Sequence, residues 1–354
     1  NAITLATDGT CTAKVTNNLS HKNVIINGAM AVAQRSASTV ATSNGSNEGY
    51  QTIDRFAFQY GNNASGAATI SQSTDAPSGL GFSTSHKTDV TTANTTSGGN
   101  ETIQLQYGIE SQDIRNSGWN YTSSSSYITL SFYFKTNVSG TKKLPIMLRS
   151  KGGTDYYYVK DITVTGTDWA RYSLTIPGNA NVAFDNDNSK GLELNFTYYA
   201  GSDKNVSSEG AWGTTNAYKT SNSTNFFAST SNDMYITGVQ LEASDHATLF
   251  EHRSYGDELL RCKRYYQTFG VSPNVIYANT MTGNTDRVQG PILPVELRTG
   301  PTVTSAASLT EFSSGTTRSV SSYQSIQSYG GGYIQLGAAA GNALQYIVQY
   351  SSEL

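Results

Sequence analysis

The sequence predicts a mainly β protein: an antiparallel β-sandwich of the jelly-roll kind, then one short helix and a smaller C-terminal β unit. Three observations carry that expectation. Charged residues fill only 14% of the 354 positions, against about 25% in an ordinary soluble domain. Ser, Thr, Asn and the 33 Gly take their place, and these residues favour turns and strands over helix interiors. Segments that alternate apolar and polar residues recur along the chain. They are separated by turn clusters such as TTSGGNE and RSKGGTD, which is the signature of short antiparallel strands with one buried face.

Residues 1–22 alternate weakly at Ile3, Leu5, Val15 and Leu19. They hold too little apolar surface for a core and read as an extended leader or attachment segment that pairs with something else. With no initiator Met, no basic head and no apolar core, this leader does not read as a signal peptide. It is expected to be either a processed end or the visible end of a longer chain.

Residues 23–253 form the expected sandwich. VIING (24–28) is a short buried run, and IDRFAFQY (53–60) sets Ile53, Phe56 and Phe58 among polar neighbours. TIQLQYGIE (102–110) places Ile103, Leu105, Tyr107 and Ile109 on one face. YITLSFYFKT (127–136) does the same with Ile128, Leu130, Phe132 and Phe134. KLPIMLRS, YYYVKDITVT, WARYSLTIP, GLELNFTYY and MYITGVQLEA continue the series.

Residues 254–270 form the expected connecting helix, with its periodic pattern over 255–269. Leu259, Cys262, Tyr266 and Phe269 recur at spacings of three and four, a helical stripe. Asp257 and Glu258 precede Arg261, Lys263 and Arg264, in the order the helix dipole favours. Residues 271–354 return to β character and read as a C-terminal β domain. The alternation of Tyr346, Val348 and Tyr350 suggests that its last strand joins a sheet.

The net charge of −3 supplies no field for gripping phosphates, so nucleic acid is not an expected partner. No run of eighteen apolar residues occurs, so no membrane insertion is expected. Cys11 and Cys262 are too few and too distant for a disulfide framework and are expected to be buried thiols.

Chemistry-bearing motifs are scarce. His21, His86, His246 and His252 include no pair at metal-ligand spacing, so no metal or cofactor is expected. Asp185 to Ser189 begins like a calcium loop, but Lys190 stands at the required Gly and Phe196 at the bidentate Glu. An Asn/Asp-rich turn is the simpler reading. No G-x-S-x-G or dinucleotide glycine pattern is present. Asp155, Asp161, Asp168, Glu193 and Glu209 are conceivable partners in a glycosidase pair, though each reads more simply as a solvated loop or strand-edge residue. The chain is not expected to be an enzyme.

Aromatic and amide groups remain. A sugar ring stacks its apolar face on Trp or Tyr while Asn, Ser and Thr bond its hydroxyls. The glycan-binding candidates are Trp119 in SGWNYTSS, Trp212 and Tyr218 in EGAWGTTNAYKT, and Tyr157 in YYYVK; Phe226 and Phe227 are weaker. For Trp119 and Trp212 core packing weighs about two to one against sugar contact. Trp169, at a strand start, is expected in the core.

The order NVIINGAMAVAQR, YQTIDRFAF, APSGLGFS, IESQDIRNSGW, YITLSFYFKT, then YITGVQLEASDHATLFEHRSYGDELLRCKRYYQ resembles a module of bacteriophage tail-fibre and related virion surface proteins, especially marine ones. The resemblance spans about residues 20–268. It implies a carbohydrate-binding-like jelly roll at the virion surface, often a homotrimer, with the leader joining other virion proteins. It carries over no catalytic motif. Among its matched positions, Asp54, Arg55, Glu251 and Arg253 read as structural joint residues, expected as the ion pairs Asp54/Arg55 and Glu251/Arg253. The function it implies is adhesion to host cell-surface polysaccharide. Its rivals are a capsid knob, head-decoration or tail-surface assembly role and, last, a polysaccharide depolymerase.

Overall fold

The computed structural model describes residues 22–95, 98–269, 292–305, 327–330 and 348–354, with seven short strands outside those ranges. No helix of the described residues is long and apolar enough to cross a membrane.

Twelve strands build the sandwich: β1 (Val40–Ser43), β2 (Phe56–Gly61), β3 (Ala67–Ser73), β4 (Ser85–Thr92), β5 (Thr102–Glu110), β6 (Tyr127–Thr136), β7 (Lys142–Ser150), β8 (Tyr156–Val164), β9 (Ala170–Pro177), β10 (Lys190–Ala200), β11 (Trp212–Gly213) and β12 (Asp233–Glu242). They form two six-stranded antiparallel sheets. The front sheet runs β11-β8-β7-β10-β5-β2 and the back sheet β9-β6-β12-β4-β3-β1. The chain crosses between sheets after β1, β2, β4, β5, β6, β8, β9 and β11, so the two layers are laced together in jelly-roll fashion, as the sequence predicts.

The alternation read in the sequence is the alternation of the core. Ile103, Leu105, Ile128, Leu130, Phe132 and Phe134 are fully buried between the sheets. Leu144, Ile146 and Leu148 of β7 and Leu192, Leu194 and Phe196 of β10 join them from the front sheet. Each such side chain contributes roughly 1.5–3 kcal/mol of apolar burial. Phe132 meets Phe196 edge-on across the layers, with centroids 5.0 Å apart.

VIING is buried as expected, with Ile25 inaccessible, but it makes a turn and no strand. Asn27 adopts φ 62°. Its side chain clasps Val32 and the carbonyl of Asp54. Gly28 then comes so close to β12 that a Cβ there would lie 2.0 Å from the Val239 carbonyl oxygen. The Asn-Gly pair is required for that approach.

The expected helix over 254–270 is half right. The helix covers Tyr255–Lys263, capped by Ser254, whose hydroxyl accepts from the Asp257 amide. Tyr266–Phe269 is instead a strand, paired with Val348–Ser351, which pairs in turn with Thr302–Ser305. A β-favouring YYQTF segment gains a complete ladder there, and that outweighs the helical periodicity. Val348 and Tyr350 are fully buried, as the alternation implies. Cys262 is buried, whereas the Cys11 side chain lies outside the described residues. Ile3–Leu5 and Cys11–Ala13 of the leader pair with one another.

Asp54 and Arg55 are buried and Glu251 and Arg253 partly so, but one expected pair is wrong. Asp54 and Arg55 do not meet. Arg55 holds φ 72°, which sends the adjacent side chains apart. Asp54 accepts from the Gln34 amide at 2.9 Å and faces Arg35 at 4.0 Å. Burial lifts the Asp54 carboxyl to about 6 against those partners. Arg55 instead pairs with Glu353. Glu251 and Arg253 do pair, at 3.3 Å, and Arg253 also reaches Glu258 at 3.6 Å and the Ile25 carbonyl at 3.1 Å. Glu110, at the end of β5, accepts a two-pronged bond from Arg264 and a third from Tyr265. Burial raises the Glu110 carboxyl, but these donors outweigh it and hold the group below its ordinary value.

Candidate functional site

The outer face of the front sheet carries polar side chains at alternate positions: Gln59 on β2, Gln104 and Gln106 on β5, Glu193 and Asn195 on β10, Arg149 on β7 and Tyr157 on β8. These side chains follow from period-two geometry, because their neighbours Phe58, Leu105, Leu194, Leu148 and Tyr158 fill the core. In register, Gln59 stands opposite Gln104, and Gln106 lies between Ala57 and Asn195.

The segment between β10 and β12 folds back over part of this face. Ala217 is fully buried and packs with Met147, Tyr157 and Val159. Thr220 and Ser223 donate to the Asp161 carboxylate at 2.6 and 2.7 Å, and the Tyr218 amide donates to the Lys204 carbonyl at 2.8 Å. The covered half is thus closed, while the half next to β2 stays open.

The open half is a cleft of about 320 Å³. Gln59, Gln104 and Gln106 floor it; Lys204, Asn216 and Tyr218 form one wall, and Asn62 and Thr102 lie at its end. Gln106 donates to Asn195 at 3.2 Å, Asn195 donates to Glu193 at 3.0 Å, and Lys190 reaches Gln106 at 3.4 Å. Lys190 and Glu193 lie 3.5 Å apart, so the charges beside the floor compensate each other. Gln104 is 5% exposed, and its Oε1 is buried with no hydrogen-bond partner. Lys204 holds its ammonium 5.6 Å from the centre of the Tyr218 ring. Burial pushes the Tyr218 phenol up to about 12, so at neutral pH it is a neutral donor and acceptor.

This arrangement offers amides, one phenol and the Lys204 ammonium. The amides and the phenol both give and accept hydrogen bonds. Of the sequence candidates, Tyr218 alone lies in the cleft. Tyr157 sits on the same face but under the covering segment, 6% exposed, with the Arg149 guanidinium 5.3 Å from its ring centre. Trp212 is half-buried at the sheet edge, its ring 5.5 Å from Tyr158 and its Nε1 donating to the Pro177 carbonyl at 2.8 Å.

Trp119 needs correcting. It is 3% exposed, packed against Tyr121 and Phe184, with its indole nitrogen bonded to the Ser126 carbonyl. No ring face is left for a sugar. Phe226 and Phe227 are fully buried core residues. Trp169 departs from expectation in the opposite sense: it lies half-buried outside the core, donating to Asp75 at 2.8 Å beside Tyr235.

Four of the five carboxylates weighed as catalytic partners are taken up locally: Asp155 by Arg149, Asp161 by Thr220 and Ser223, Glu209 by Lys160, and Glu193 by Asn195 and Lys190; Asp168 is exposed in the turn before β9. The Asp185–Ser189 segment is a turn in which Asp187 accepts from Ser189 and the Asn188 carbonyl accepts from Arg298. Those serine bonds hold the Asp187 carboxyl below its ordinary value. No group of three or more His, Cys, Asp or Glu among the described residues could hold a metal ion. The glutamine ladder was missed in the sequence. Its signal was there, as Gln104 and Gln106 alternating with core residues in TIQLQYGIE.

No family model matches the chain, and no curated protein matches it. Solved structures overlap it at low identity. Tailspike protein 4 of bacteriophage CBA120, in its enzymatically active domain, is 16% identical over 57% of this chain, with a TM-score of 0.31; the overlap spans 21% of that protein. A family 11 carbohydrate-binding module from Clostridium thermocellum, solved with a mixed-linked β-1,3-1,4 tetrasaccharide, is 10% identical over 60% of this chain and 99% of its own, with a TM-score of 0.29. A candidate sugar-binding protein from Bacteroides thetaiotaomicron is 12% identical over 63% of this chain and all of its own, with a TM-score of 0.32.

Proposed function

We propose that this chain is a saccharide-binding adhesion module of a bacteriophage virion, in the manner of a tail-fibre or receptor-binding protein, and that it holds host-surface glycan without chemical turnover. One observation carries the binding part. A cleft on the front sheet is floored by Gln59, Gln104 and Gln106 and walled by Lys204, Asn216 and Tyr218. Its amides can give and accept hydrogen bonds with sugar hydroxyls while Tyr218 supplies a ring edge or face. The virion setting, the trimer and the role of the leader rest on the sequence resemblance over residues 20–268.

Weak single sites suit such a role, because linked copies raise avidity by about 10²–10⁴ without new contacts. The test is binding of the purified chain to a panel of bacterial surface polysaccharides, for the wild type and for Gln104→Ala and Tyr218→Ala. Binding weakened about tenfold by each substitution, with no reducing ends released, is the expected result. Binding that is absent, or indifferent to both substitutions, overturns the assignment to this cleft.

A further inference from the structure

We infer that the chain carries a second ligand site, for a single neutral saccharide ring, in a pocket that shares no residue with the front-sheet cleft. The pocket holds about 300 Å³, at the lower end of the roughly 300–1,000 Å³ usual for small-molecule sites. That suits one ring rather than an extended chain.

Three separate segments build it: Ala29 and Ala31 after the Asn-Gly turn, Gly81 to Thr84 before β4, and Phe250 to Glu258 leading into the helix. Each belongs to a stretch that carries the sequence resemblance, NGAMA, GLGFS and FEHRSYGDE. Those stretches read in the sequence as packing and joints, yet they converge on a cavity. Its composition divides by face. Phe250, Tyr255 and the two alanines are apolar, and Phe250, His252 and Phe82 meet edge-on or tilted with centroids 4.9–5.0 Å apart. Ser83, Thr84 and His252 are polar. Arg253 and Glu258 lie 3.6 Å apart at the base, and Glu258 also takes the Asn27 amide. The one guanidinium and the one carboxylate of the lining are therefore already paired with each other.

Gly81 fits the same purpose. It holds φ +79°, and a Cβ on it would lie 3.0 Å from the His252 ring, so the glycine lets that ring come close to the turn. Tyr255 is 59% exposed although it lines the pocket, and it stands free to cover a ring placed inside. An apolar wall facing hydroxyl and imidazole groups is the environment a pyranose needs, with its C–H face on the aromatics and its hydroxyls on the polar side.

The experiment is amide chemical-shift mapping of the full chain with neutral monosaccharides, run on the wild type, Tyr255→Ala and Gln104→Ala. The expected result is saturable shifts confined to residues 27–31, 79–84 and 250–258. Tyr255→Ala should weaken them about tenfold, and Gln104→Ala should leave them unchanged. Tyr255 is exposed, so its variant should keep the wild-type melting temperature. Absence of shifts in those segments with every monosaccharide tested overturns the inference, whatever happens in the cleft. So does a change in sedimentation on Tyr255→Ala without any saccharide shift, which would make this face a contact between copies. Shifts confined to residues around Gln104 would leave the cleft standing and remove the second site.

Discussion

Arg55 and Glu353, 298 residues apart, form an ion pair in which both side chains are almost wholly buried. The Arg55 guanidinium also lies 3.4 Å from the centre of the Tyr265 ring and donates to the Gly108 carbonyl at 2.7 Å. Tyr50 donates to the Leu354 carbonyl at 2.8 Å alongside. The chain end thus locks onto the edge of the front sheet through a charge that has no access to water.

Glu353→Gln should therefore be costly. It leaves a buried guanidinium without its counter-charge, and breaking such a pair from one side costs about 3–5 kcal/mol. The denaturant midpoint should fall accordingly, while Arg35→Ala, whose partners keep other contacts, should cost less. Equal losses for the two variants would show that Arg55 is compensated elsewhere.

His86 predicts a pH dependence. Burial alone drops its imidazole to about 3 from an ordinary 6.5, and the ring stacks on Phe58 inside the core. The folded protein keeps it neutral while the unfolded chain takes up a proton below pH 6.5. Its stabilising contribution is therefore complete above about 6.5 and is lost as the pH falls towards 3. Compared with His86→Leu, the wild type should lose about 3 kcal/mol between about pH 7.5 and pH 4.5. Asp54, raised to about 6, works in the opposite direction from 3.8 to 6 but is common to both proteins and cancels in the difference. Parallel urea midpoints across that range would refute the assignment.

Trp119 and Tyr218 separate stability from binding. Trp119→Ala removes a buried indole and should cost about 3–5 kcal/mol, with glycan affinity unchanged in the fraction that folds. Tyr218→Ala should move the melting temperature far less and weaken binding. Thermal scans and titrations on the same preparations distinguish the two, and a Trp119 variant of normal stability would contradict its place in the core.

Gly28→Ala tests the turn at residues 27–30. The added methyl would meet the Val239 carbonyl oxygen at 2.0 Å, a backbone atom that cannot swing aside. A loss of roughly 3 kcal/mol, the upper end of overpacking costs, should appear in chemical denaturation. Gly213, with nothing within 4 Å of its would-be Cβ, is the control that should tolerate alanine.

The sequence by itself determined the class of fold and the inward face of most strands. Alternation is a local property, and a strand such as YITLSFYFKT has one apolar side wherever it is placed. It was silent about β1, β3 and β4, whose Thr, Ser, Ala and Lys residues show little hydrophobic contrast, although Ile70, Val90 and Ala68 are buried there. Tertiary structure decided everything that depends on partners far along the chain. It moved Tyr266–Phe269 from helix to strand, because Val348–Ser351 offered a ladder. It gave Arg55 to Glu353 instead of Asp54, and drew Trp119 inside while leaving Trp169 half outside. It also turned the polar side of β5 into the floor of a cleft, because the segment carrying Tyr218 folds back across the sheet. A side chain's two faces are set by its neighbours in sequence, whereas what covers the outer face is set by residues about a hundred positions away.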